Sequence, residues 1–478
     1  MLNTRVLPAS SPEVVALIAS AFIVLAATLH PALALLLACA LPVSGLAVLA
    51  PDGFWITAFL ASLFLSESIA IGPVRNARLC DLVAAVLISR WLVRIAFRPA
   101  STAHPHTSAV PPLLLALLAA LLSGLGAQSR TLALIGALQM LEYLLLYLAL
   151  TDLLIRRYTL VPRLARIFVG LVGIEVLIGI RQFAFGIVRS GQATHFRAEG
   201  SLGQNLAVYL GIAIAILFCG GLATKCRSRL LYFAGCMGLL VAATLTKARG
   251  AVVWLVLAMA VPLCYHNRRL ALKSILVLLI VSVALFAVVS TGMIEALGTT
   301  TPLGRMLSLV YFFQGEQTAY GNWTVLMRLE LWWEALKMYW DHPLFGIGAK
   351  NYFLHLVDYA TPFVWRMRWA LSQGGESILS AHNQYCLTLA ETGTVGIVAL
   401  LWLLWKSVRE TAILWKLSIT VQQKQTALTL AGVIAYIWLC GISADFLYSQ
   451  TGSLFVAFLA LTSASITVIS SRAPAKHS

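Results

Sequence analysis

Runs of about 20 apolar residues recur along the whole chain, and few folds can accommodate that. Each run is long enough to cross a hydrocarbon core of roughly 30 Å as an α-helix. A membrane β-barrel would need shorter, alternating segments, which are absent. Of 478 residues, 60% are hydrophobic and 11% charged, with a mean hydropathy of +0.88. Such values lie far outside the soluble range, so the sequence predicts an all-α polytopic membrane protein. Spans are expected near 14–29, 32–49, 54–71, 79–97, 111–127, 132–150, 164–185, 202–222, 230–246, 250–265, 271–291, 383–405, 427–446 and 452–470. That is about 14 helices. A total of 12 or 13 fits equally well, because Pro31 and Pro42 complicate the first two. The stretch after Arg5 is similar to a signal peptide, but hydrophobic spans follow at once, so it reads as an uncleaved first span.

The net charge of +16 does not point to nucleic acid, because the basic residues are scattered singly between hydrophobic spans. Inter-span loops, anionic headgroups and anionic ligands account for them better. One set of loops, including Arg90, Arg94, Arg98, Arg156, Arg157, Arg268 and Arg269, alternates correctly to lie on one face, which is therefore expected to be cytoplasmic, with both termini. The opposite face should be poor in arginine. It nevertheless carries Arg130, Arg197, Lys247, Arg249, Arg305, Arg328, Arg366 and others, with Lys247 and Arg249 in a tight hairpin. Snorkelling to membrane lipids explains any single one as well as an anionic ligand does; for the whole set a ligand is the better reading. The eight cysteines include no CxxC pair and read as apolar packing residues, with neither a disulfide framework nor a metal site.

Residues 292–382 form a loop of about 90 residues on that same face, rich in tryptophan and tyrosine. A connection this long is seldom idle. The stretch "RLELWWEALKMYW", Arg328 to Trp340, fits a short helix lying along the interface. Its aromatics suit either a headgroup belt or a platform for stacking sugar rings. The expected organisation is a bundle over 1–190, Arg-bearing hairpins over 191–291, the large loop over 292–382 and C-terminal helices over 383–478.

"WWEALKMYWDHPLFGIGAKNYF" (332–353) and "AHNQYCLTLAETGTVG" (381–396) together resemble the O-antigen ligase and polymerase superfamily of bacterial inner membranes. The elements are Arg328 before a Trp-containing helix with Trp332, the turn Pro343 to Gly348, His382-Asn383, and Gly393 and Gly396 of a Gly-x-x-Gly. "RAEGSLGQNLAVYL" (197–210) and "TKARGAVVWL" (246–255) resemble two further family motifs. The likeness covers about 197–405 well. It implies a C-type glycosyltransferase architecture and transfer of a whole glycan from undecaprenyl diphosphate to an acceptor hydroxyl on the periplasmic face, without a metal or other cofactor. The acceptor is lipid A core for a ligase, or the next carrier-bound repeat unit for a polymerase.

Such a transfer must stabilise a leaving diphosphate, deprotonate the acceptor and admit the carrier from the lipid. Without a metal the first task falls to arginines, whose planar forks suit phosphate oxygens. Arg197 and Arg249 are the first candidates, then Arg328 and Lys247. His382 is the candidate base, kept neutral by nearby arginines. Asn383 is expected to cap the following helix, orient the loop or touch substrate, and Trp332 to bind substrate. At about 100° per residue, Gly393 and Gly396 share a face with His382 and admit a helix or lipid tail, while Glu391, about 180° away, is expected to bond a polar group on a neighbouring span and fix the helix's rotation. A transporter would instead need an internal repeat, broken helices and ionisable residues at mid-membrane; the sequence has no repeat and its charges gather on one face. Ligase is favoured over polymerase on the His-Asn to Gly-x-x-Gly spacing alone.

Overall fold

The computed structural model describes residues 51–65, 68–71, 74–97, 107–185, 202, 205–224, 227–246, 248–273, 276, 320–361 and 380–472. The spans expected near 14–29 and 32–49, and most of that near 271–291, lie outside these. The chain divides into two compact units between His104 and Pro105.

In the first unit, α1 (Asp52–Ser62) and α2 (Leu79–Phe97) pack together and are joined through an antiparallel hairpin, β1 (Ser68–Ile71) with β2 (Val74–Arg78). A single span over 54–71 was the expectation, and the structure ends the helix at Ser62. The cause is legible: Ser66-Glu67-Ser68 interrupts the apolar run, and Gly72-Pro73 is a turn sequence between β-branched residues. Asp52, in the first turn of α1, accepts from Arg90 Nη2 (3.1 Å) and Arg94 Nη2 (2.7 Å) on α2, all three side chains being largely buried.

The second unit is helical. It comprises α3 (Val110–Ser123), α4 (Arg130–Arg156), a 3-10 turn (Tyr158–Leu160), α5 (Val161–Ala184), α6 (Leu206–Ala223), α7 (Arg227–Leu245) and α8 (Arg249–His266). After 319 come α9 (Tyr320–Asp341), α10 (Tyr352–Tyr359), α11 (Gln384–Leu417), α12 (Val421–Cys440) and α13 (Gln450–Arg472). Among the described residues, α4, α6, α11 and α13 are long and apolar enough to cross a membrane; α3 and much of α7 and α8 are shorter apolar helices. Helix α11 is central, packing on α3, α9, α12 and α13.

Local chemistry sets the helix ends. Ser129 caps α4 by accepting from Leu132 N, and Thr420 with Gln423 forms a reciprocal capping box on α12. Polar contacts tie the apolar helices together where packing alone is weak between lipid-facing surfaces. Tyr147 of α4 shares a 2.8 Å hydrogen bond with Ser463 of α13, whose hydroxyl donates to Glu410 of α11 at 3.1 Å.

Candidate active site

The organising feature is a break in α11. Gly393 has φ 63° and ψ −157°, a region open essentially to glycine alone, so α11 is two helices joined at that residue. A break strands backbone groups that must find partners elsewhere. They find them on the turn after α9. Thr394 N donates to Pro343 O (2.8 Å) and Val395 N to Leu344 O (3.3 Å), while Ile347 N and Gly348 N donate to Ala390 O (2.9 Å) and Glu391 O (3.0 Å). Two backbones meet with no side chain between them. A Cβ on Gly393 would sit 2.5 Å from the Leu344 carbonyl carbon, and one on Gly346 2.4 Å from the Glu391 carbonyl carbon. Gly393 therefore receives the protein's own loop, where the sequence suggested a lipid tail or a second helix. The projection that put Gly393 and Gly396 on one face with His382 also fails, because it assumed an unbroken helix and His382 precedes the first turn.

The docked turn is held from its other side. Asn351 Oδ1 accepts from Ser129 N (2.8 Å), and Ala349 N donates to Ser123 Oγ (3.1 Å), fixing the turn to the α3–α4 connection. Glu391 is buried and takes the Tyr352 amide (3.3 Å), the Lys350 amide and the Tyr448 hydroxyl. It joins α11 to two loops, a structural position consistent with the role read from the sequence, though its partners are loop groups and not a neighbouring span.

At the mouth of α11, Asn383 Oδ1 accepts from Tyr385 N (2.9 Å) and Cys386 N (3.1 Å), so it is the N-cap. That occupies the oxygen the sequence offered also to substrate. Gln384 clamps the α12–α13 loop: its backbone N donates to Gly441 O (2.7 Å), and its Oε1 accepts from Phe446 N (3.0 Å) and Leu447 N (2.9 Å). This clamp brings Asp445 to His382. Ser380 Oγ donates to Asp445 Oδ2 and accepts from His382 N at 3.2 Å. His382 itself holds φ 47°, a left-handed conformation costing on the order of 1 kcal/mol that the flanking bonds maintain. Burial pulls its imidazole pKa below the ordinary value; the Asp445 carboxylate opposes this, and the Arg328 guanidinium on α9 adds to it. The half-buried imidazole thus feels a carboxylate and a guanidinium that act on it in opposite directions.

The same loop meets the start of α8. Trp254 Nε1 donates to Ser443 Oγ (2.9 Å), and a Cβ on Gly250 would lie 2.8 Å from that oxygen. The backbone at Arg249 is therefore at the same end of the bundle as His382. Arg197 and Lys247 lie outside the described residues, as does the Arg249 side chain. Trp332 is half-buried on α9, and its indole N–H has no acceptor among the described residues. Sequence reasoning missed Asp445, Ser380 and Gln384. Asp445 lies 63 residues after His382, and only the Gln384 clamp makes them neighbours.

Residues 212–401 match the family model described as O-antigen ligase. No curated protein matches the chain.

Proposed function

We propose that this chain, which belongs to the O-antigen ligase superfamily of membrane glycosyltransferase-like enzymes, joins a glycan carried on undecaprenyl diphosphate to an acceptor hydroxyl of lipid A core. The family assignment covers membrane glycan transfer or polymerisation in general. The finer reading rests on one observation: His382 at the mouth of α11 is tied through Ser380 to Asp445.

In this reading His382 takes the proton from the acceptor hydroxyl as the glycosidic bond forms, and Asp445 stabilises the imidazolium that results. The bond between anomeric carbon and diphosphate breaks, and its electron pair leaves with the phosphate oxygen. Arg249 and Arg197, with Arg328 and Lys247, receive that charge, each guanidinium by bidentate contacts. The site faces the periplasm of the inner membrane, where the arginines set against the insertion bias gather.

Two experiments test this. A deletion strain's surface glycans separate the two family activities: full-length polymer left on the carrier supports ligase, and single repeat units indicate a polymerase. Transfer by purified protein should persist in EDTA; loss that Mg²⁺ or Mn²⁺ restores refutes arginine as the leaving-group stabiliser.

A further inference from the structure

Helix α9 is apolar on two opposite sides, and among the described residues only one of them has a protein partner. Its inner side, Leu331, Ala335 and Met338, is buried in the cluster with Tyr352, Leu387 and Ala390. At about 100° per residue, Leu329, Trp333 and Trp340 project about 160–200° from Leu331, on the far side. They are 42%, 49% and 61% exposed, and Leu344 and Phe345 of the following turn are 62% and 39% exposed. The two indoles lean edge-to-face with centroids 5.6 Å apart. The charges avoid this strip. Glu330, Lys337 and Asp341 fall together about 80–120° from Leu331, on one flank. A soluble helix would place its charges opposite the buried side; charges on a flank suit a helix lying at the boundary between water and an apolar phase.

The strip also continues a lipid-facing surface. On the candidate span α11, Val398, Leu401, Trp405 and Val408 form a stripe at helical spacing, each between 46% and 54% exposed. The Val395 N to Leu344 O bond sets the turn directly at the end of that stripe. The exposed Leu344 and Phe345 are therefore set next to the α11 stripe, in the turn that leads on from Trp340 at the end of α9.

The structure assigns this outer strip of α9 to the bilayer: Trp333, Trp340, Leu344 and Phe345 insert into the headgroup–acyl boundary of the leaflet from which α11 descends, seating α9 in the membrane. The occupant is lipid, and not a sugar. The charged groups of α9 keep to one flank, and the strip itself is tryptophan, leucine and phenylalanine leading to the lipid-facing stripe of α11, which suits an acyl phase better than a sugar. Tryptophan is, besides, the side chain favoured at that depth. Seated this way, α9 is held by lipid on one side and by α11 on the other, and Arg328, three residues before Leu331, gains a fixed position.

The test uses the full chain in nanodiscs of phosphatidylethanolamine and phosphatidylglycerol, a fraction carrying a diazirine in the acyl chain. Trypsin releases Leu329–Lys337 and Met338–Lys350, which carry the strip. Expected after photolysis are lipid adducts on Trp333, Trp340, Leu344 and Phe345 at yields within about threefold of those on Val398 and Leu401. Hydroxyl-radical oxidation of Trp333 and Trp340 in the same discs should be at least about fivefold slower than after transfer to a short-chain detergent. Adducts confined to α11, with both tryptophans oxidised as fast in discs as in detergent, overturn the assignment. So does protection of the two indoles that appears only when core oligosaccharide is added, which would make the strip a glycan platform.

Discussion

Replacing Gly393 by alanine should cost more than replacing Gly396, three residues away in the same Gly-x-x-Gly, because only Gly393 combines a left-handed backbone with a docked loop. At Gly393 the backbone (φ 63°, ψ −157°) suits only glycine, and holding alanine there costs roughly 1–3 kcal/mol. The new Cβ would also stand 2.5 Å from the Leu344 carbonyl carbon and oxygen and 2.7 Å from Phe345 N. These are backbone atoms that cannot rotate away, so the docked turn must lift. Lifting it breaks the Thr394–Pro343 and Val395–Leu344 hydrogen bonds, at about 1 kcal/mol each. The sum is about 3–5 kcal/mol. At Gly396 the backbone is helical, and an added Cβ would meet Thr392 Oγ1 and stand 2.5 Å from Thr392 Cβ, so Thr392 must shift there, but no docked turn has to lift. The assay is the apparent melting temperature of detergent-purified protein for both variants and for Gly346→Ala. Gly346→Ala should fall with Gly393→Ala, and the double variant should lose less than the sum because both lift the same turn. A Gly393→Ala protein that melts with the wild type refutes the docking account.

His382→Ala should lower single-turnover rate by about 10²–10⁴-fold with little change in donor binding. The wild-type rate should fall on acidification with a midpoint below the ordinary histidine value. Asp445→Asn should move that midpoint lower and Arg328→Gln higher, since the carboxylate raises the imidazole pKa and the guanidinium lowers it; shifts of the opposite sign break the assignment. Arg249→Lys should weaken binding of carrier-linked donor as well as the rate, since lysine lacks the bidentate fork, and unchanged donor affinity would remove Arg249 from the diphosphate. Burial pushes the Glu334 carboxyl up to about 7, with its Oε1 accepting the Thr361 amide. A folded-state pKa above the unfolded one stabilises fully at low pH and ceases to do so as pH rises through about 7. Glu334→Gln should therefore gain melting temperature relative to wild type as pH goes from 5 to 8, and a flat difference counts against a titrating Glu334.

Long apolar runs with no internal partner need only length and composition to be recognised, so the expected spans over 132–150, 202–222 and 452–470 correspond closely to α4, α6 and α13. The run over 54–71 misled because hydropathy averages over Ser66-Glu67-Ser68, while the backbone responds to each residue. His382 and Asn383 were legible for different reasons: Asn383 precedes a helix as a good cap should, and His382 stands out as an ionisable group at a hydrophobic boundary. Asp445 was not legible, since what brings it to His382 is a three-bond clamp by Gln384, and glutamine in a first helical turn carries no distinctive signal.

Glu391 and Gly393 make the same point about where periodicity stops informing. A carboxylate well inside an apolar helix reads by default as a functional group, given roughly 2.5–3.5 kcal/mol for placing it in a bilayer. That expectation assumes the helix is continuous and its environment is lipid. Gly393 removes the first assumption, and the second is removed by the amides of Lys350, in the turn, and Tyr352, at the start of α10, with Tyr448 adding a hydroxyl. The glycine admits the loop, the loop brings amides to the carboxylate, and the carboxylate holds the loop. Each residue looks anomalous alone and is required by the other two. Losing Glu391 should therefore loosen the α9 turn before it affects His382. Glu391→Gln, which still accepts amides, should retain most of the transfer activity that Glu391→Leu loses; equal loss in both would make Glu391's charge, and not its hydrogen bonding, the property that matters.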